Sequence, residues 1–123
     1  MTKSTLNNFD QLLRLIAASK FPKETGSTRL RQLAFLNMVD LHHRLGEKPT
    51  ARGLSKVLNA PPSQMDLLAV SLEEKGVIER VLTPNLTKGK RGKVLYIRDD
   101  AVQQLNDNHI RFTGISLLDV ENS

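Results

Sequence analysis

The sequence predicts a mainly α chain carrying one small β-hairpin, with its elements in the order α-α-α-α-β-β-α. Three observations predict it. First, residues 51–58 (ARGLSKVL) and 63–75 are short helical patterns separated by Asn59-Ala60-Pro61-Pro62. Proline lacks an N–H and disfavours helix in the residue before it, so that tetrapeptide is a break. Second, Gly76 suits the left-handed position that ends a helix, and residues 77–82 after it have strand composition. Third, a glycine-interleaved basic run, Lys88-Gly89-Lys90-Arg91-Gly92-Lys93, precedes another strand-like segment, residues 94–98. Helix, tight turn, helix, strand and basic hairpin form the order of a winged helix-turn-helix, a module whose usual target is DNA.

Each element has its own signals. Ser4 predicts an N-cap for a first helix over residues 5–20, with Leu6, Phe9, Leu12, Leu13 and Ile16 as its apolar stripe. Residues 21–26 read as a loop. Ser27 or Thr28 then caps a helix to residue 45, where Gly46 ends it. That helix is heavily apolar (Leu30, Leu33, Phe35, Leu36, Met38, Val39 and Leu45 among others), which predicts the central buried one. The 51–58 helix is expected to turn Leu54, Val57 and Leu58 inward. Ser63 should cap the next helix, with Asp66 three residues on in a capping-box-like arrangement. Met65, Leu68 and Leu72 recur at helical spacing on its core side. Residues 83–93 are turn-rich and read as a hairpin tip. Asp99 and Asp100 offer a cap for a last helix over 101–109, where their charge suits the positive helix end. Beyond it two readings stay open: Ile115, Leu117, Leu118 and Val120 pack on a partner, or they form a loose tail.

The 123 residues suffice for one hydrophobic core and little more, so a single domain over 1–123 is expected. It divides into an N-terminal helix and loop (1–26), a helix-turn-helix core with its wing (27–98), and a C-terminal helix and tail (99–123). No apolar run approaches the roughly 20 residues that a membrane span needs, and the N-terminus lacks the apolar stretch of a secretory signal. A cytoplasmic location without membrane contact is the expectation. The absence of cysteine excludes disulfides and thiolate metal sites. Eighteen Lys+Arg against thirteen Asp+Glu favours polyanionic partners. The placement of charge is more telling: residues 88–98 hold Lys88, Lys90, Arg91, Lys93 and Arg98 without an acid, between two net-acidic stretches. One concentrated positive feature is expected.

Residues 50–80 (TARGLSKVLNAPPSQMDLLAVSLEEKGVIER) carry a family resemblance. The apolar positions Leu54, Leu58, Met65, Leu68 and Leu72 fit, as do Leu72-Glu73-Glu74-Lys75-Gly76 and the closing Val77-Ile78-Glu79-Arg80. The segment resembles the winged-helix core of the MarR-type bacterial transcription regulators, over about residues 28–109 with the wing and following helix included. The Leu-Glu-x-x-Gly-x-Ile pattern also occurs in other winged-helix families, so the match is firmer to the superfamily than to the subfamily. The resemblance implies a homodimer that binds double-stranded DNA, and it admits release by a small-molecule effector. Two features depart from the family pattern. Leu67 and Val70 stand where a basic or polar residue is usual, and the region after the wing is short.

The expected DNA contacts follow from residue chemistry. Base edges in the major groove are read by hydrogen bonds, so the outward residues of the 63–75 helix (Gln64, Asp66, Leu67, Val70 and Ser71) are the candidates. Gln64 suits adenine, Ser63 can donate to a phosphate at the helix start, and Leu67 can touch a thymine methyl. Lys88, Lys90, Arg91 and Lys93 would neutralise phosphates, with Arg52 and Lys56 on an adjacent strand. Other constellations point elsewhere. Neighbouring His42 and His43 diverge by about 100° on a helix and, with only His109 besides, predict partly exposed polar groups and no metal site. Glu73-Glu74 reads as helix surface. No nucleophile arrangement or phosphate-binding loop motif is present, so neither an enzyme nor a cofactor is expected. Two alternatives stand beside the regulator: a winged helix used as a protein-interaction module, motivated by Leu67 and Val70, and a DNA-binding accessory protein of a mobile element (replication, partition or transfer).

Overall fold

The structure, a computed structural model, describes residues 7–87 and 89–118. It is mainly helical, with five helices and a two-stranded antiparallel hairpin. The elements are α1 (Asn8–Ala18), α2 (Gly26–Arg44), α3 (Ala51–Leu58), α4 (Pro62–Glu74), β1 (Ile78–Thr87), β2 (Lys90–Ile97) and α5 (Ala101–Thr113). Their order is the one the sequence predicts. Among the described residues no helix is long and apolar enough to cross a membrane.

The starts of α1, α2 and α4 differ from expectation, each for a local reason, while α3 and α5 begin where expected. Ser4 and Thr5 lie outside the described residues; Asn7 caps α1, its side chain accepting the Asp10 N–H at 2.7 Å. Thr25 caps α2 by accepting the Thr28 N–H, so neither Ser27 nor Thr28 is the cap and Gly26 opens the helix instead of closing the loop. Thr50 caps α3 through the Gly53 N–H at 2.9 Å, and Asn59 ends it in the left-handed region at φ 52°. Ser63 is not the cap of α4. Pro61 stands at the N-cap and Pro62 at the first helical position, where a fixed φ and a missing N–H do no harm. Asp66 is therefore two residues too deep for a capping box, and Pro61 has no N–H for it to accept.

The core gathers Leu12, Leu15 and Ile16 of α1, Phe35, Leu36 and Val39 of α2, Leu54 of α3, Met65, Leu68 and Leu72 of α4, and Ile78, Leu95 and Leu105. Helix α2 does touch α1, α4 and β2, although Leu30 and Leu45 face solvent. Gln32 is buried in their stead, bonded to Glu24 and Lys75. Val57 and Leu58 are exposed, contrary to the inward orientation expected of them: in an eight-residue helix, buried Leu54 and Ser55 leave the following turn outside.

After α4, Gly76 takes φ 77°, and a Cβ built there would lie 2.7 Å from the Gln104 Cβ, so the position serves both the helix end and a close approach to α5. The strands run further than expected. Residue pairing proceeds from Ile78↔Ile97 to Thr83↔Gly92, then resumes at Thr87↔Lys90. Pro84, Asn85 and Leu86 thus oppose Arg91 alone, a bulge that brings Leu86 over Gly92. The outer edge of β2 is partnered too, as the Leu95 N–H donates to the Pro49 carbonyl at 2.8 Å.

The C-terminal expectations need correction. Asp100 occupies the N-cap of α5 without a side-chain cap bond, because its carboxylate grips Arg98 at 2.8 and 3.0 Å. Helix α5 continues four residues past His109, which is a buried residue and not a partly exposed one. His109 Nε2 accepts the Lys20 N–H at 2.9 Å, which leaves Nδ1 as the donor to the Ile115 carbonyl at 2.8 Å. Leu117 is buried and its N–H donates to Asn106 Oδ1, so residues 115–118 are neither loose nor entirely free for a partner. Val120 lies outside the described residues.

Candidate nucleic-acid interface

Three elements converge on one side of the hairpin. Arg52 and Lys56 stand four residues apart on α3, hence on one face. Lys90, Arg91 and Lys93 are exposed on β2. Pairing with Leu95 and two residues from the buried Ile78, Arg80 projects from the helix-facing side of β1. Together they line an open groove of about 500 Å³ to which α4 contributes Asp66.

Within this groove the charges are unequal in their freedom. Arg80 donates to the Glu73 carboxylate at 2.7 Å, and its Nε is buried without a hydrogen-bond partner. That bond, with the attraction of Arg80 and Lys93, holds the Glu73 carboxyl below the usual carboxylate range; the same pairing and Asp66 beyond it raise Arg80. Among the described residues, six cations against the single acid Asp66 make the groove lining strongly positive. Such a surface neutralises closely spaced phosphates.

The sequence-predicted residues fall into three groups. Arg52, Lys56, Asp66, Lys90, Arg91 and Lys93 come together in the groove. Ser63, Gln64 and Leu67 do not line it: Ser63 and Leu67 share the Asp66 side of α4 but stand outside the groove, Leu67 71% exposed, and Gln64 is half-buried. Lys88 lies outside the described residues. Residues 66 and 64 are nearly opposite around a helix, so the outward face expected of α4 is two faces. Ser71 even belongs to a different concavity, beside Phe21 and Phe112. The basic run is also split, since Arg98 is committed to Asp100.

Two functional positions escaped the sequence reading. Arg80 was read only as part of the 77–82 strand; the period-two alternation from Ile78 was the available signal for its face. Lys75 was read only as the last residue of the 63–75 helix, yet it is buried, with both Glu24 oxygens at 2.7 Å and the Phe21 ring centroid 4.4 Å from its Nζ. Burial outweighs the Glu24 carboxylate and holds the Lys75 pKa below the ordinary lysine value. This pair fastens the C-terminal end of α4 to the loop before α2, and so fixes the wall that carries Asp66.

No family model matches the chain, and no curated protein or solved structure does either.

Proposed function

We propose that this chain is a winged helix-turn-helix regulator of MarR-like type that binds double-stranded DNA as a homodimer. The observation that carries the proposal is the convergence of Arg52, Lys56, Arg80, Lys90, Arg91 and Lys93 on one groove from three separate elements. Scattered cations are ordinary solvated surface; six lining one groove are a polyanion site. Helix α4 borders that groove and would enter the major groove, with the hairpin on the adjacent backbone or minor groove. Two protomers would address half-sites roughly 34 Å apart, one helical turn.

The test is a gel shift of wild type against a Lys90/Arg91/Lys93→Ala variant over a salt series. Loss of three phosphate contacts per protomer should flatten the log–log salt slope by about 2.7. Equal slopes for the two proteins would remove the hairpin from the mechanism. They would favour the second reading, a protein-interaction module, which rests on the exposed Leu67 and Val70 of α4.

A further inference from the structure

We propose that Asp66 is a base-reading residue of this groove and that it selects cytosine in a C·G pair. The inference rests on the duplex-binding reading above. Two carboxylates stand beside the cationic groove, and their situations differ. Glu73 is neutralised, bonded to Arg80 at 2.7 Å and within the field of Lys93. Asp66 is exposed, and among the described residues it makes no hydrogen bond or ion pair. It lines the groove with all six cations and acts on Arg80 only through space.

A free carboxylate on a phosphate-gripping wall repels every phosphate that approaches it. It becomes favourable only against a hydrogen-bond donor, because an ionised carboxylate can only accept. In the major groove the donors are cytosine N4 and adenine N6. Adenine sets the acceptor N7 beside its amine; guanine offers N7 and O6, and thymine offers O4. All three put a lone pair against Asp66. Cytosine alone presents an amine with no acceptor on its own major-groove edge, so a carboxylate can approach from the side away from its partner. The paired guanine then turns N7 and O6 into the same groove, where a guanidinium such as that of Arg52 or Arg91 meets them bidentately. An acid among bases therefore matches the two halves of a C·G pair, which a uniformly basic wall would not. Asp66 is also placed for it, as residues near the start of a recognition helix are those that reach base edges.

The test is selection from a randomised duplex library by wild type, Asp66→Asn and Asp66→Ala, each first shown to be folded by circular dichroism. Wild type should enrich cytosine at one position per half-site by about 5- to 150-fold over the other bases. Asp66→Asn should move that preference to adenine, whose N6 and N7 an amide matches bidentately. Asp66→Ala should lose it while binding unselected duplex more tightly. Identical base profiles from all three proteins, with duplex binding intact, overturn the role of Asp66 and leave the proposed function standing. Failure of wild type and Asp66→Ala to bind any duplex at low salt overturns both.

Discussion

Arg80 serves two neighbours at once, donating to Glu73 at 2.7 Å while lining the groove. The pair lies at the seam between α4 and the hairpin, so it bears on stability as well as on binding. Its pH dependence follows from the sign of the shift. The folded-state pKa of Glu73 is below the ordinary 4.5, so the stabilisation is present above that value and is lost as pH falls through the lowered pKa. In an Arg80→Ala variant the Glu73 midpoint should return toward 4.5, read from its side-chain carboxyl resonance in an NMR titration. A midpoint unmoved by the substitution would mean that Arg80 is not the source. Arg80 was legible only in part from sequence. Alternation from Ile78 gives its face, but its partner Glu73 sits on another element, and no local pattern encodes that meeting.

At the level of elements, boundaries were legible where the chain carries unambiguous stop signals. Helix α3 spans the residues expected of it, because Thr50 opens it and Asn59 with two prolines closes the way beyond. Helix starts were missed where Gly26 and Pro62, residue types that usually break helices, are themselves the first helical residues. The hairpin was drawn too short because Pro84, Asn85 and Gly92 look like turn residues, whereas the bulge absorbs Pro84 and Asn85 within β1 and Gly92 pairs with Thr83. Gly76 joins two elements and yields a quantitative expectation. It shares its positive φ with Gly46, where an added Cβ meets nothing within 4 Å, whereas at Gly76 it meets Gln104. Gly46→Ala should cost about 1 kcal/mol for the left-handed backbone alone. Gly76→Ala should cost about 1–3 kcal/mol more, since α5 must move aside. Urea unfolding of the two variants measures the difference, and equal losses would show that the α4–α5 approach is slack.

For the whole molecule, the groove is the property least visible in the sequence. Its cations were identifiable one by one, but their convergence depends on how α3, α4 and the hairpin pack, which is decided by buried residues such as Leu54, Leu72 and Leu95. The reverse holds for α4: Gln64 and Asp66 read as neighbours on one outward face, and the packing of Met65 between them sends them to different sides. His109 was misjudged for a related reason. Of its partners, Lys20 lies 89 residues away and Ile115 beyond the end of α5, so its burial depends on the α1–α2 connection closing over it, which no pattern within α5 encodes.

That closure couples distant parts of the molecule in time. The connection after α1 and the segment after α5 are anchored to a single imidazole, and Asn106 holds the latter a second time through the Leu117 N–H. Each therefore shares an anchor with the other. In native-state hydrogen exchange the Lys20 and Leu117 amides should open in one cooperative step with a shared free energy. In His109→Ala the two should separate, with Lys20 exchanging far faster and Leu117 retaining partial protection through Asn106. If both amides already exchange independently in the unaltered chain, the connection after α1 and the segment after α5 are not latched together.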